Sequence, residues 1–257
     1  MASILLHCLH GTFQSSGVWA GLGERLAPHV GSPLRILAEE IEPLPTGGLP
    51  EWAESLCARM ESGSGEGSVL DLRVLVGYSL GGRLALHALL ACPAAWSGAV
   101  LIGAHPGEAD ERARAAVRAR DAAWADRCRG GDATEDLLRD WDGLAVFGGH
   151  PNRAPRDPAT LDRARWARAF EAFSRAGQAD LRRTLAEADL PPILYLTGAD
   201  DPRYPSIGDA LAADVPGLRH ETVVGAGHRV PWDRPEEFAA RVGAFVSSLA
   251  GPRVGDG

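Results

Sequence analysis

The chain has 257 residues, 45% of them hydrophobic and 23% charged, with a formal net charge of −8. Those values fit one globular domain with a sizeable core. They exclude nucleic acid or an anionic membrane as a general partner, since both need a basic footprint. No run approaches the ~20 apolar residues of a membrane span. The first residues, Met1-Ala2-Ser3-Ile4-Leu5-Leu6-His7, carry no basic segment and no cleavage site, so no signal peptide is expected. Cys8, Cys57, Cys92 and Cys128 are scattered without a C-x-x-C pair, and free thiols in a reducing cytoplasm are the expectation. All 26 basic residues are arginine, so a cluster of arginines says less about anion binding than it would elsewhere.

In chain order, short apolar runs alternate with helical stretches, the pattern of an α/β protein with a mostly parallel, doubly wound sheet. Strands are expected at residues 4–9, 34–38, 73–78, 98–102, 192–197 and 219–224. Helices are expected at 19–26, 50–60, 80–91, 206–213 and 235–249, the last two with start signals at Ser206 and Asp233. Residues 62–68 read as a Gly/Ser loop. The alternation breaks once, between 105 and 183, where only helical segments appear: 108–128, 134–140 and 161–173. The breaker-rich Phe147-Gly148-Gly149-His150-Pro151-Asn152 interrupts them. An all-helical insertion of this kind is expected to cap the sheet's C-terminal edge, where open α/β sheets bind ligands. The division is then a core of 1–104 and 184–257 with a helical cap of 105–183. The cap holds 15 Arg against 14 acids and the rest 11 against 20, so the acidity belongs to the core.

Gly77-Tyr78-Ser79-Leu80-Gly81 fits G-x-S-x-G between an apolar run and a helical one, the setting of a nucleophile elbow. Glycines two residues either side of Ser79 relieve crowding, and the helix N-terminus behind it points N–H groups at a developing anion. His10-Gly11-Thr12-Phe13 follows the first strand, where this kind of site takes one oxyanion-hole N–H. Thr12 and Leu80 are therefore the candidate donors. Thr197-Gly198-Ala199-Asp200-Asp201 ends a strand in two acids; the Gly-x-x-Asp spacing favours Asp201 as partner of an imidazole Nδ1–H. Gly225-Ala226-Gly227-His228 closes the last strand, and the order Ser79, Asp201, His228 is that of α/β hydrolases. His7 and His87 read as structural, and His105 and His150 border the cap as loop residues within reach of a pocket. No metal cluster, phosphate loop or dinucleotide fingerprint is visible, and no cofactor is expected.

At Gly77-Tyr78-Ser79-Leu80-Gly81-Gly82-Arg83, at His105-Pro106-Gly107, and from Glu111-Arg112 through Asp121 to Trp124-Ala125, the chain resembles the 2-succinyl-6-hydroxy-2,4-cyclohexadiene-1-carboxylate synthase family of menaquinone biosynthesis. The resemblance spans nearly the whole length. It implies an α/β-hydrolase fold and a carbon–oxygen lyase that eliminates pyruvate from a cyclohexene dicarboxylate bearing an enolpyruvyl group. Ser79, activated by His228 and Asp201, would then remove a ring proton without an acyl-enzyme. A small carboxylate substrate is implied, with Tyr78, Arg83 and Trp141 matching family positions and Arg114 or Arg118, on one face of a cap helix, as a further clamp. Thr12 departs from the family's aromatic after His-Gly. No arginine-plus-asparagine stretch of the family is recognised between Asn152 and Arg168. An ester or thioester hydrolase with a Ser79 acyl-enzyme, or a non-catalytic binding relic, are the competing readings.

Overall fold

The computed structural model describes residues 3–62 and 72–250. Most of the expected Gly/Ser loop, from residue 63 onward, lies outside the described residues. Six strands form one parallel sheet: β1 (Ile4–Leu9), β2 (Leu34–Glu39), β3 (Leu72–Tyr78), β4 (Gly98–Ile102), β5 (Ile193–Gly198) and β6 (Leu218–Val223), ordered β2-β1-β3-β4-β5-β6. The described helices are α1 (Leu22–Leu26), α2 (Leu49–Ser62), α3 (Leu80–Ala91), α4 (Glu111–Arg129), α5 (Thr134–Asp142), α6 (Arg163–Ala172), α7 (Arg182–Glu187), α8 (Tyr204–Asp214), α9 (Val230–Asp233) and α10 (Pro235–Leu249).

Every residue of β4 and β5 is buried, which is why both read as continuous apolar runs. Edge strand β2 instead alternates half-buried and exposed positions, and Leu37 is 45% exposed. Side-chain alternation divides the core in two. Leu6, Cys8, Val74, Val76, Val100, Ile102, Leu194 and Leu196 meet Leu26 of α1 and Phe238 and Val242 of α10. On the other face, Leu75, Leu101 and Tyr195 meet Trp52 and Leu56 of α2, Leu84 of α3 and Leu211 of α8. Apolar side chains of α4 to α7 join this second cluster.

The strand order positions the site. From β1 the chain crosses to β2 on one side and returns to β3 on the other. The C-terminal ends of β1 and β3 therefore flank a topological switch point, where parallel sheets open a crevice. The Gly11-Thr12 loop and Ser79 both emerge there. Phe13, in the loop after β1, adopts φ 57 and sets its ring among Trp124, Trp141, Trp166 and Phe170, with centroids 5.1 to 6.2 Å away. The backbone strain costs ~1–3 kcal/mol. Four aromatic contacts at ~0.5–1.5 kcal/mol each offset it and tie the helices between β4 and β5 to the switch point.

Several local expectations are corrected. The helix expected over 19–26 is a 3-10 turn, Ser16–Trp19, followed by α1, because Gly21 breaks it at φ 75. Helix α4 starts at Glu111, not 108, with the Asp110 carboxylate accepting from Ala113 N–H. Helix α8 starts two residues before Ser206, where the Asp201 side chain accepts from the N–H groups of Arg203 and Tyr204. Asp233 does not cap α10; its buried carboxylate accepts from Gly227 N–H at 3.0 Å, one residue before His228. Four free thiols were expected, but Cys57 and Cys92 form a disulfide and only Cys8 and Cys128 are free. Helices α2 and α3 lie side by side and bring the two cysteines to a Cα separation of 6.1 Å, which their spacing of 35 residues conceals.

Candidate active site

Ser79 is the single residue between β3 and α3, at φ 52 and ψ −106. Its N–H donates to the Ile102 carbonyl at 2.8 Å, and its carbonyl accepts from Arg83 N–H at 3.0 Å, so the strained turn is held from both ends. The crowding inferred for the flanking glycines is severe. A Cβ on Gly77 would sit 2.6 Å from the Gly81 carbonyl oxygen, and one on Gly81 2.3 Å from that of Leu9.

The Ser79 hydroxyl donates to His228 Nε2 at 3.1 Å, and His228 Nδ1–H donates to Asp201 at 2.7 Å. The carboxylate fixes the tautomer that leaves Nε2 free to accept a proton. Asp201 spends its other oxygen on Arg203 and Tyr204 N–H, at 2.9 and 3.1 Å, so its orientation is over-determined. Asp200 is exposed and pairs with His150 at 2.9 Å instead. Gly103 at φ 55 clears the way for the imidazole, since a Cβ there would lie 2.5 Å from His228 Cε1. The rings of Tyr204, Tyr78 and Phe147 surround His228 at 4.6, 5.5 and 5.9 Å.

Ser79 and His228 open into a cavity of about 320 Å³, which Thr12, Leu80, Tyr78, Arg83 and Trp141 also line. Among the described residues no hydrogen bond takes up the N–H of Thr12 or of Leu80, the two donors expected for an oxyanion. Arg83 donates to the Phe173 carbonyl at 2.6 Å and to Gln178 at 3.2 Å. Burial, with Arg175 nearby, lowers its pKa to about 10, which leaves it charged at neutral pH. His105 and His150 stay outside the cavity lining. Burial and the neighbouring arginines hold the His105 imidazole neutral, with its pKa down to about 2. Among the described residues no group of three or more His, Cys, Asp or Glu could hold a metal ion.

The family model described as the alpha/beta hydrolase family matches residues 5–241. The chain belongs to that family. A relative from Klebsiella pneumoniae subsp. pneumoniae, a 2-succinyl-6-hydroxy-2,4-cyclohexadiene-1-carboxylate synthase, is 36% identical over 179 residues, covering 68% of each chain. MenH from S. aureus superposes with a TM-score of 0.84 at 19% identity, covering 98% of this chain and 96% of its own. A thermophilic esterase from Thermogutta terrifontis reaches 0.73 at 18%, covering 96% and 91%. The last two likenesses are of fold alone.

On this α/β-hydrolase scaffold the two arginines expected from the cap are corrected. Neither Arg114 nor Arg118 lines the cavity. Arg114 donates instead to the Glu108 carbonyl at 2.7 Å, and Arg118 is exposed. Arg114 lies half-buried toward the N-terminal end of α4, in line with the inward stripe of Val117, Asp121, Trp124, Ala125 and Cys128, and its guanidinium is spent on that backbone carbonyl. Among the described residues six other arginine positions supply the charge, Arg83, Arg120, Arg156, Arg175, Arg203 and Arg229, with Asp121 as the one acid in the lining. Glu108 gathers Arg175 and Arg203 at 2.9 and 2.8 Å, and Asp142 gathers Arg156 and Arg229. Arg203 and Arg229 had a signal in the sequence, since they stand two residues after Asp201 and one after His228. Arg120, Arg156 and Arg175 had none that separates them from surface arginines.

Proposed function

We propose that the chain is a carbon–oxygen lyase of menaquinone biosynthesis that eliminates pyruvate from a succinyl-enolpyruvyl-hydroxycyclohexene-carboxylate. The observation that carries this reading is the Ser79–His228–Asp201 relay opening into a cavity lined by six arginines and one carboxylate, in a chain of net charge −8. Local charge against the global sign favours a polyanionic small molecule over a neutral ester. The synthase relatives support the same assignment.

In the proposed step, the Ser79 hydroxyl proton passes to His228 Nε2 as Ser79 Oγ removes a ring proton. The electrons of the broken C–H bond form the new ring double bond and expel the enolpyruvyl oxygen. His228 returns its proton to the leaving group, which becomes pyruvate. Thr12 and Leu80 N–H would stabilise negative charge developing on a substrate oxygen, while Tyr78, Arg83 and Trp141 orient the substrate. We place this chemistry in the cytoplasm with no cofactor. Residues 105–183 are assigned as a cap on the core of 1–104 and 184–257.

A second reading, ester or thioester hydrolysis through a Ser79 acyl-enzyme, is favoured by the unpaired Thr12 and Leu80 N–H groups and by the strained serine. Supplying the enzymatically generated enolpyruvyl precursor and following pyruvate release separates the two. Release that Ser79→Ala abolishes is the expected result. Turnover of p-nitrophenyl esters without any pyruvate would sink the lyase. A non-catalytic relic would give neither.

A further inference from the structure

We infer that Arg229 and Arg156 form a second anion subsite of the cavity, taking one carboxylate of a substrate that carries at least two. This rests on the reading of the cavity as a carboxylate site. Arg229 is only 3% exposed and follows His228 directly, so its position is tied to that of the imidazole. Its Cζ lies 3.5 Å above the Phe147 ring, and its Nη2 donates to Asp142 at the end of α5. Its Nη1 is buried and has no partner among the described residues. An unpaired buried N–H on a charged group is costly, and a ligand oxygen that reaches it would remove that cost.

Arg156 meets the same Asp142 with both Nη atoms, at 3.3 and 2.6 Å, and also lines the cavity. One carboxylate thus gathers two guanidiniums from distant parts of the chain and neutralises only one of them. The other nearby acid, Asp233, also feels the Arg229 charge, but it is shared with His150 and Arg153; one of its oxygens accepts from Gly227 N–H and the other is buried without a partner among the described residues. Arg83 shares no partner with this pair, since its own are Phe173 and Gln178. The cavity therefore carries two separate cationic points, one behind the serine and one beside the histidine. Such a pair selects a dianion over a monoanion by charge and by the distance between its charges.

The test is calorimetric binding of glutarate and of its monomethyl ester to the intact protein. Wild type is expected to bind the diacid about tenfold more tightly or better. Arg229→Met, which keeps bulk over Phe147, should cut that ratio about fivefold or more while leaving monoester affinity within about twofold. Arg156→Met, at a less buried position, should act in the same direction, and Arg229→Lys should retain most of the preference. Arg118→Met, on the exposed side of α4, should change nothing. The subsite is overturned if wild type does not prefer the diacid, if Arg229→Met keeps the ratio, or if both methionine variants weaken both ligands equally. The readout is independent of turnover. A diacid preference that needs Arg229 in a protein releasing no pyruvate leaves the subsite standing and removes the lyase; pyruvate release with an unchanged ratio does the reverse.

Discussion

Ser79, His228 and Asp201 differ in how much else each one holds. Ser79 is a strained turn residue as well as a hydroxyl, while Asp201 orients the imidazole and begins α8 at once. Replacing Ser79 or His228 by Ala is expected to cost at least ~10³-fold in kcat, as for residues that act as one unit. Asp201→Asn should also cost ~10³–10⁴-fold, because an amide can stabilise the wrong imidazole tautomer. Steady-state kinetics on each variant checks this, and an effect confined to KM would remove the group from the chemistry. Arg83 is proposed to act on the ligand instead. Arg83→Ala should raise KM or lower kcat for the enolpyruvyl dicarboxylate while sparing neutral esters, and equal effects on both would remove its clamp role.

Elements carry the site through what they pack against. The aromatic cluster around Phe13 ties α4 and α6 to the loop after β1, and Asp110 and Asp162 cap those two helices. Helix α3, which presents Ser79, is fastened to α2 by the Cys57–Cys92 disulfide, closing a loop of 35 residues. On the loop-entropy account such a crosslink stabilises by roughly 4 kcal/mol, with strain and residual structure lowering the measured figure. Cys57→Ser with Cys92→Ser is therefore expected to lower Tm by several degrees with kcat nearly unchanged. Thermal unfolding with and without reductant checks it: wild type in reductant should approach the variant, and a variant indifferent to its loss would mean that packing of α2 on α3 suffices. The bond also removes two of the four thiols on which the expectation of a reducing compartment stood.

Across the whole molecule, burial of ionisable groups sets an acid limit. Burial and the Arg83 charge bring the His87 pKa down to about 4, and His105 falls to about 2. Both stay neutral in the fold, whereas an unfolded chain binds protons at ~6.5. Burial raises Glu40, but bonds from His10 and Ser16 N–H and the charge of Arg165 outweigh it and bring its pKa to about 2. All three favour the fold at neutral pH. The histidine contributions decline as pH falls below ~6.5, and that of Glu40 as it falls below ~4.5. Stability by urea unfolding should thus drop from pH 7 to 5. His87→Gln should remove about one proton from the slope in that window, and an unchanged slope would mean that His87 is protonated in the fold. Among the described residues no helix is long and apolar enough to cross a membrane.

The sheet was legible because buried parallel strands are apolar throughout, so β1, β3, β4 and β5 show as runs even without partners. The positions of Ser79, Asp201 and His228 were legible for a related reason. Each sits at a strand end where local backbone demands, for glycine or for a short acid, leave a mark in the chain. Helix starts were less so: Asp233 and Ser206 have the chemistry of start signals, but tertiary contacts assign Asp233 to Gly227 and hand the start of α8 to Asp201. Half of the cavity's arginines were hidden: Arg83 lies in the elbow motif and Arg203 and Arg229 follow Asp201 and His228, but Arg120, Arg156 and Arg175 carry no mark in the chain. In a chain whose every cation is arginine, composition separates no clamp from a solvated side chain, and helical spacing pointed to Arg114, which is spent on the Glu108 carbonyl, and to Arg118, which is exposed. Arg156, Arg175, Arg203 and Arg229 are held at the cavity by Glu108 and Asp142, which draw in partners from up to 95 residues away. Local sequence determined the fold and the positions of Ser79, Asp201 and His228 because backbone geometry and burial period act over a few residues. Charge pairing acts across the fold, and only the tertiary structure decided it.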